Sequence, residues 1–125
     1  MATTQPLAPA PSPFVADCPT RQVLDRIGDR WTMLVLLLLD RRTHRFGELA
    51  REIDGISPKV LTQALRALER DGLVVREVFA EVPPRTEYSL TDLGRTLVGA
   101  VSAVADWATA HIDEIQLHRA AFDAR

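Results

Sequence analysis

The sequence has a single cysteine, Cys18, so it can form no internal disulfide and offers no cysteine-rich zinc site. Its longest apolar run, residues 33–39, falls far short of the roughly 20 residues that a membrane span needs. The N-terminus, MATTQPLAPAPSPF, has no basic start followed by an apolar stretch, so no secretory signal is expected. A cytoplasmic protein is expected instead. There is no phosphate-binding glycine loop, no paired-histidine zinc motif, and no serine or cysteine beside an identifiable base. These absences predict a non-enzyme without a cofactor. His111 and His118, with Asp113 and Glu114 nearby, lack further ligands at metal spacing, so no metal is expected either. Charge of one sign is also missing: the net charge of −2 excludes a protein that coats nucleic acid wholesale.

What is present fits one core. The 125 residues are 46% hydrophobic and 26% charged, the balance of a globular domain that folds without staples. The charge is uneven: residues 41–85 hold nine of the fifteen Lys and Arg, and residues 86–125 are acidic. Residues 1–16, with four prolines, cannot bury enough apolar surface to order themselves, which predicts a mobile arm. Residues 17–125 are then the folded domain.

Helix punctuation is legible along that domain. Pro19 opens a helix that runs to Gly28, and Asp29 caps a second from Arg30 to about Asp40, apolar nearly all round and so central to a core. Residues 41–44 read as a polar break, and a short helix follows from Arg45 to about Ile53. Ser57, Pro58 and Gly72 punctuate a fourth helix. In it Leu61, Ala64, Leu65 and Leu68 share an inward face, while Lys59, Thr62, Gln63, Arg66 and Arg70 face outward. Leu73–Phe79 and Thr86–Leu90 alternate as strands around an 81–85 turn containing Pro83 and Pro84, predicting a two-stranded hairpin. Thr91 caps a last helix over about 92–117. Its Leu93, Leu97, Val101, Val104, Ala108, Ile112 and Ile115 form an apolar seam.

Helices followed by a hairpin with a basic tip make a mainly α fold with a small β-hairpin, a winged helix-turn-helix. In that design a supporting helix crosses the DNA backbone and the next helix enters the major groove. The 57–71 helix has the side chains for the second task. Lys59 and Arg66 suit phosphates or guanine edges, Gln63 suits adenine, and Thr62 suits a thymine methyl. Ser57 and the free amides beside it suit a phosphate, and Arg85 in the wing suits a neighbouring minor groove or phosphate. The plainer reading, a solvated polar helix face, does not account for the hairpin that follows.

Six stretches carry a resemblance to a known family: Cys18-Pro19; Ile27 to Thr32; Arg45 to Leu49; Gly55 to Thr62; Leu65 to Val74; and Val82 to Thr91. In order and with close spacing over about residues 17–110, they resemble the HxlR-type regulators, small bacterial transcription factors related to the MarR group. The resemblance implies a winged-helix homodimer on palindromic operator DNA, touching it through Ser57, Lys59, Thr62, Gln63 and Arg66, with Arg85 in the wing. In several such relatives a cysteine matching Cys18 senses oxidants, quinones or other electrophiles.

Two features support regulation independently of the resemblance. The seam on the last helix is longer than a small domain covers, which predicts a two-fold dimer with half-sites about 34 Å apart. Cys18, next to the start of the first helix, lies where free amides favour a thiolate; its plainer reading is a buried packing residue. Trp31, Phe46, Tyr88 and Trp107 are candidates for the core or for a small-molecule pocket. A repressor is expected rather than an activator, because a repressor needs only to occupy an operator. The alternatives are the same fold under a non-covalent effector, and a winged helix that binds protein instead of DNA.

Overall fold

Proline at the first helical position needs no hydrogen-bond partner, and Pro19 opens α1 (Pro19–Gly28) directly after Cys18 as N-cap. A computed structural model describes residues 12–125. Two turns lead into the helix, closed by Val15 N–H to the Ser12 carbonyl at 3.2 Å and Cys18 N–H to the Val15 carbonyl at 3.1 Å. Of the arm expected over 1–16, residues 1–11 lie outside the described residues.

Asp29 separates α1 from α2 (Arg30–Arg41) and caps the latter, its Oδ1 accepting from the Trp31 amide at 3.2 Å. Thr32, Val35, Leu36 and Leu39 are buried and Met33, Leu37 and Leu38 half-buried, so α2 is the central helix its all-round apolarity predicts. It packs against α1, α4, α5 and the sheet. Truncating Leu36, which has no exposed surface, would cost roughly 2–5 kcal/mol.

The polar break expected over 41–44 is instead the approach to a strand. β1 (His44–Arg45) pairs antiparallel with a later strand, and α3 (Phe46–Glu52) starts one residue after it. Gly55, at φ +83°, makes the turn into α4 (Pro58–Arg70); Gly72, at φ +74°, ends that helix and sends the chain into β2 (Val74–Phe79). β2 pairs along its whole length with β3 (Arg85–Leu90), from Val74 opposite Leu90 to Phe79 opposite Arg85. β1 adds on the other side of β3, with His44 opposite Tyr88, so the expected two-stranded hairpin is a three-stranded sheet in the order β1-β3-β2.

α5 (Asp92–Asp123) runs six residues beyond the expected end; its 32 residues span about 48 Å. Thr91 anchors its start, accepting from the Gly94 amide at 3.0 Å and donating its hydroxyl to the Gly72 carbonyl at 2.6 Å. Gly94 is required there, because a Cβ at that position would lie 2.1 Å from the Leu73 carbonyl oxygen. Gly94, Val98 and Val101 are buried, whereas Leu93, Val104, Trp107, Ile112, Leu117 and Phe122 are exposed. The seam therefore divides: Leu97 and Val101 serve this domain's own core, and most of the rest faces outward. Among the described residues no helix is long and apolar enough to cross a membrane.

Candidate nucleic-acid interface

Helical periodicity sorts α4 into two faces. Leu61, Ala64, Leu65 and Leu68 are buried against the core, while Lys59, Gln63 and Arg66 are exposed and Thr62 is half-buried at the edge of that stripe. Local hydrogen bonds fix two of the candidate side chains. Ser57 Oγ accepts from the Val60 amide at 3.1 Å, so the serine caps the helix and uses one of the amides expected to be free for a phosphate. The Thr62 hydroxyl donates to the Pro58 carbonyl at 2.8 Å, which leaves its methyl group as the part best placed for a base. Lys59 and Arg66 have no carboxylate within ion-pair distance among the described residues.

α4 and the wing enclose a slot of about 300 Å³ lined by Phe46, Thr62, Leu65, Arg66, Glu69, Arg76 and Tyr88. Apolar and aromatic side chains line it together with two arginines, one from the helix and one from β2, and one carboxylate, Glu69. Arg76 is the residue that the sequence reading missed. The alternation of β2 holds the signal: Val74, Arg76 and Val78 share the face that looks toward α4, and Arg76 lies opposite the buried Tyr88. Like Arg66, Arg76 has no carboxylate partner among the described residues.

Arg85 is placed differently from the free wing-tip cation expected of it. It is the first residue of β3, and its Nη1 lies 3.1 Å from Glu81 Oε1. Its guanidinium covers the Phe79 ring at 4.1 Å, and Nε approaches Glu87 Oε1 at 3.4 Å without hydrogen-bond alignment. The exposed tip is instead apolar, Val82-Pro83-Pro84.

Cys18 is half-buried at the N-cap of α1. Partial burial pushes its thiol upward, but the Arg21 and Thr20 amides, the Ser12 backbone and the Thr20 hydroxyl outweigh that and hold it below the ordinary cysteine range. The four aromatics named as pocket candidates do not gather. Phe46 and Tyr88 line the slot, Trp31 lies beneath the Arg30 guanidinium at 4.4 Å, and Trp107 stacks on His111 far along α5.

This arrangement has counterparts among known proteins. The HxlR-like helix-turn-helix family matches residues 26–116. The HTH-type transcriptional regulator YtfH of Escherichia coli is 45% identical over 102 residues, covering 82% of this chain and 81% of that one. The solved structure of the transcriptional regulator ytfH from Salmonella typhimurium superposes with a TM-score of 0.84 at 41% identity, over 88% of this chain and 98% of that one. The redox regulator HypR in its reduced form superposes at 0.73 with 39% identity, over 78% and 97%. With these matches across nearly all of its described length, the chain belongs to the HxlR-like helix-turn-helix family.

Proposed function

We propose that this chain is a sequence-specific DNA-binding regulator of transcription that acts as a homodimer in the cytoplasm and represses by occupying its operator. One observation carries the reading: α4 buries its apolar face and leaves Lys59, Gln63 and Arg66 exposed, with Thr62 at their edge and, among the described residues, no acidic partner for the two cations. Arg76 extends the cationic surface across the slot, so a backbone strand lying between helix and wing meets a guanidinium on each side. Arg85 shapes the wing through Glu81 and Phe79 and reaches DNA only if it gives up Glu81.

The exposed face of α5 supports the dimer. Leu93, Val104, Trp107 and Ile112 continue an apolar groove of about 400 Å³ between α1 and α5, lined by Val23, Leu73, Leu93, Leu97 and Ala100. A second copy related by a two-fold axis covers that face and sets the two α4 helices on successive major grooves. The signal we propose is thiol chemistry at Cys18, favoured by its lowered thiol and by the likeness to a redox regulator. The thiolate adds to an electron-poor C=C bond: one C–S bond forms as the π bond opens, the electron pair moves to the neighbouring carbon, and that carbon takes a proton from water; α1 carries the change to α2, on which it packs. The slot beside Arg66 and Arg76 favours a second reading, a small anionic effector that competes with DNA.

The test is selection of duplexes from a random pool, followed by a gel shift. A sequence with two-fold symmetry is expected, bound by the parent and lost when Lys59 and Arg66 are both changed to Ala. A pool that shows no enrichment would overturn the DNA reading and leave the protein-binding winged helix. N-ethylmaleimide is expected to weaken binding by the parent and not by Cys18→Ser. Equal responses would remove Cys18 as the sensor.

A further inference from the structure

His44 is only 2% exposed, and the DNA-binding reading makes no use of it. Its ring Nδ1 lies 2.8 Å from the Arg42 carbonyl oxygen, and its Nε2 lies 2.8 Å from Glu52 Oε2. A carbonyl oxygen and a carboxylate both accept and cannot donate. A neutral imidazole has one N–H, so it would satisfy one partner and aim a lone pair at the other. The geometry closes in two ways: the ring carries both protons, or Glu52 carries one.

The neighbours decide between them. Arg42 Nη2 lies 3.2 Å from Glu52 Oε1, and Arg42 Nη1 lies 3.2 Å from Glu48 Oε2. A guanidinium that bridges two carboxyl groups favours both as anions. Glu48 also accepts from the Arg45 amide at 2.8 Å, and that bond, opposed by partial burial and aided by Arg42, holds it below the ordinary carboxylate range. The groups facing the ring are thus Glu52 and Glu48 on α3, Arg42 between them, the Tyr88 phenol ring across the strand pair, and Arg76 beyond Tyr88 in the same cross-strand row. Arg45 and Glu87, the next pair along the ladder, point to the other side of the sheet.

We propose that His44 is a positioning residue, locked as an imidazolium that ties the supporting helix α3 to the wing sheet through Glu52. β1 is only two residues long, and a ladder that short is weak by itself. The ring sits in that strand, opposite Tyr88 of β3, and grips the last residue of α3. α3 leads directly into the turn that aims α4. Loss of the second ring proton sets a lone pair of the buried ring against a carboxylate oxygen of the solvent-exposed Glu52, so the tie loosens as pH rises. The positioning role rests on the DNA-binding reading, whereas the protonation state does not.

The experiment is long-range 15N–1H spectroscopy of the histidine rings in the full chain, with His44 assigned by its loss in His44→Gln. At about pH 6 both His44 ring nitrogens are expected to be protonated. Glu52→Gln supplies an amide N–H that a neutral ring can accept, so in this variant His44 is expected to be neutral, with its proton on Nδ1. The melting temperature of the parent is expected to fall relative to Glu52→Gln between about pH 6 and about pH 9. Affinity for a selected duplex is expected to fall in parallel in the parent and to stay level in Glu52→Gln. One unprotonated ring nitrogen in the parent at about pH 6 would overturn the imidazolium. Parallel pH profiles of affinity in the two proteins would overturn the positioning role. Failure of the parent to bind any duplex would overturn the DNA reading and leave the ring result standing.

Discussion

Changing Arg66 to Ala removes a guanidinium that has no carboxylate partner among the described residues and sits on the rim of the slot between α4 and the wing. Lys59, Arg66 and Arg76 give each protomer three cations without a carboxylate partner among the described residues, hence six in the proposed dimer. Each phosphate they neutralise releases about 0.9 of a counterion, so log K is expected to fall against log salt with a slope of about −5. Between about 50 and about 200 mM salt, affinity then drops on the order of a thousandfold. Arg66→Ala removes two contacts per dimer and makes the slope shallower by about 1.8. Arg85→Ala is the internal control. Its guanidinium already serves Glu81 and Phe79, so its slope is expected to stay within about 0.5 of the parent. Fluorescence anisotropy on one selected duplex at four or more salt concentrations measures all three slopes. An Arg66→Ala slope equal to that of the parent would refute the placement of Arg66 against phosphate.

Three further outcomes are expected from the same structure. The Cys18 thiol, held down by the Arg21 and Thr20 amides against partial burial, is expected to alkylate with a midpoint below the roughly 8.5 of a free cysteine. Iodoacetamide rates against pH, with glutathione alongside, would contradict this if the two midpoints coincide. Trp107→Glu puts a charge on the exposed apolar face of α5 and is expected to convert a dimer to a monomer in sedimentation equilibrium at micromolar concentration, with the helical dichroism unchanged. A dimer that persists would move the interface elsewhere. Gly94→Ala drives a methyl group to 2.1 Å from the Leu73 carbonyl oxygen and is expected to cost about 3 kcal/mol in urea unfolding, against less than about 1 kcal/mol for Gly99→Ala, which meets no atom within 4 Å.

Most of this architecture is written in local signals. Pro19, Asp29, Ser57 and Thr91 start helices because each satisfies or spares an unpaired amide, and Gly72 ends α4 because it adopts a positive φ. The two faces of α4 follow from period alone. What escaped the sequence depends on residues far apart in the chain. Residues 41–44 look like a polar break, yet β3, more than forty residues away, recruits His44 into a strand, and Glu52 pairs with it when it is buried. Arg85 looks like a free cation in a turn because its partners, Glu81, Glu87 and Phe79, come together only when β2 and β3 pair. Arg76 sits in a recognised strand, but which face of that strand meets α4 is decided by the register opposite Tyr88. The seam of α5 is visible as a pattern; how much of it the domain itself covers is decided by the close approach at Gly94, which brings only the first three turns against the core.

The outward side of α4 is expected to read a duplex in two symmetric copies. Hydroxyl-radical footprinting of the selected duplex tests it most directly. Two protected patches are expected, with centres about 34 Å apart, both abolished when Lys59 and Arg66 are replaced by Ala in a chain that still melts cooperatively. A single unbroken block of protection, or a footprint that survives the double replacement, would contradict it.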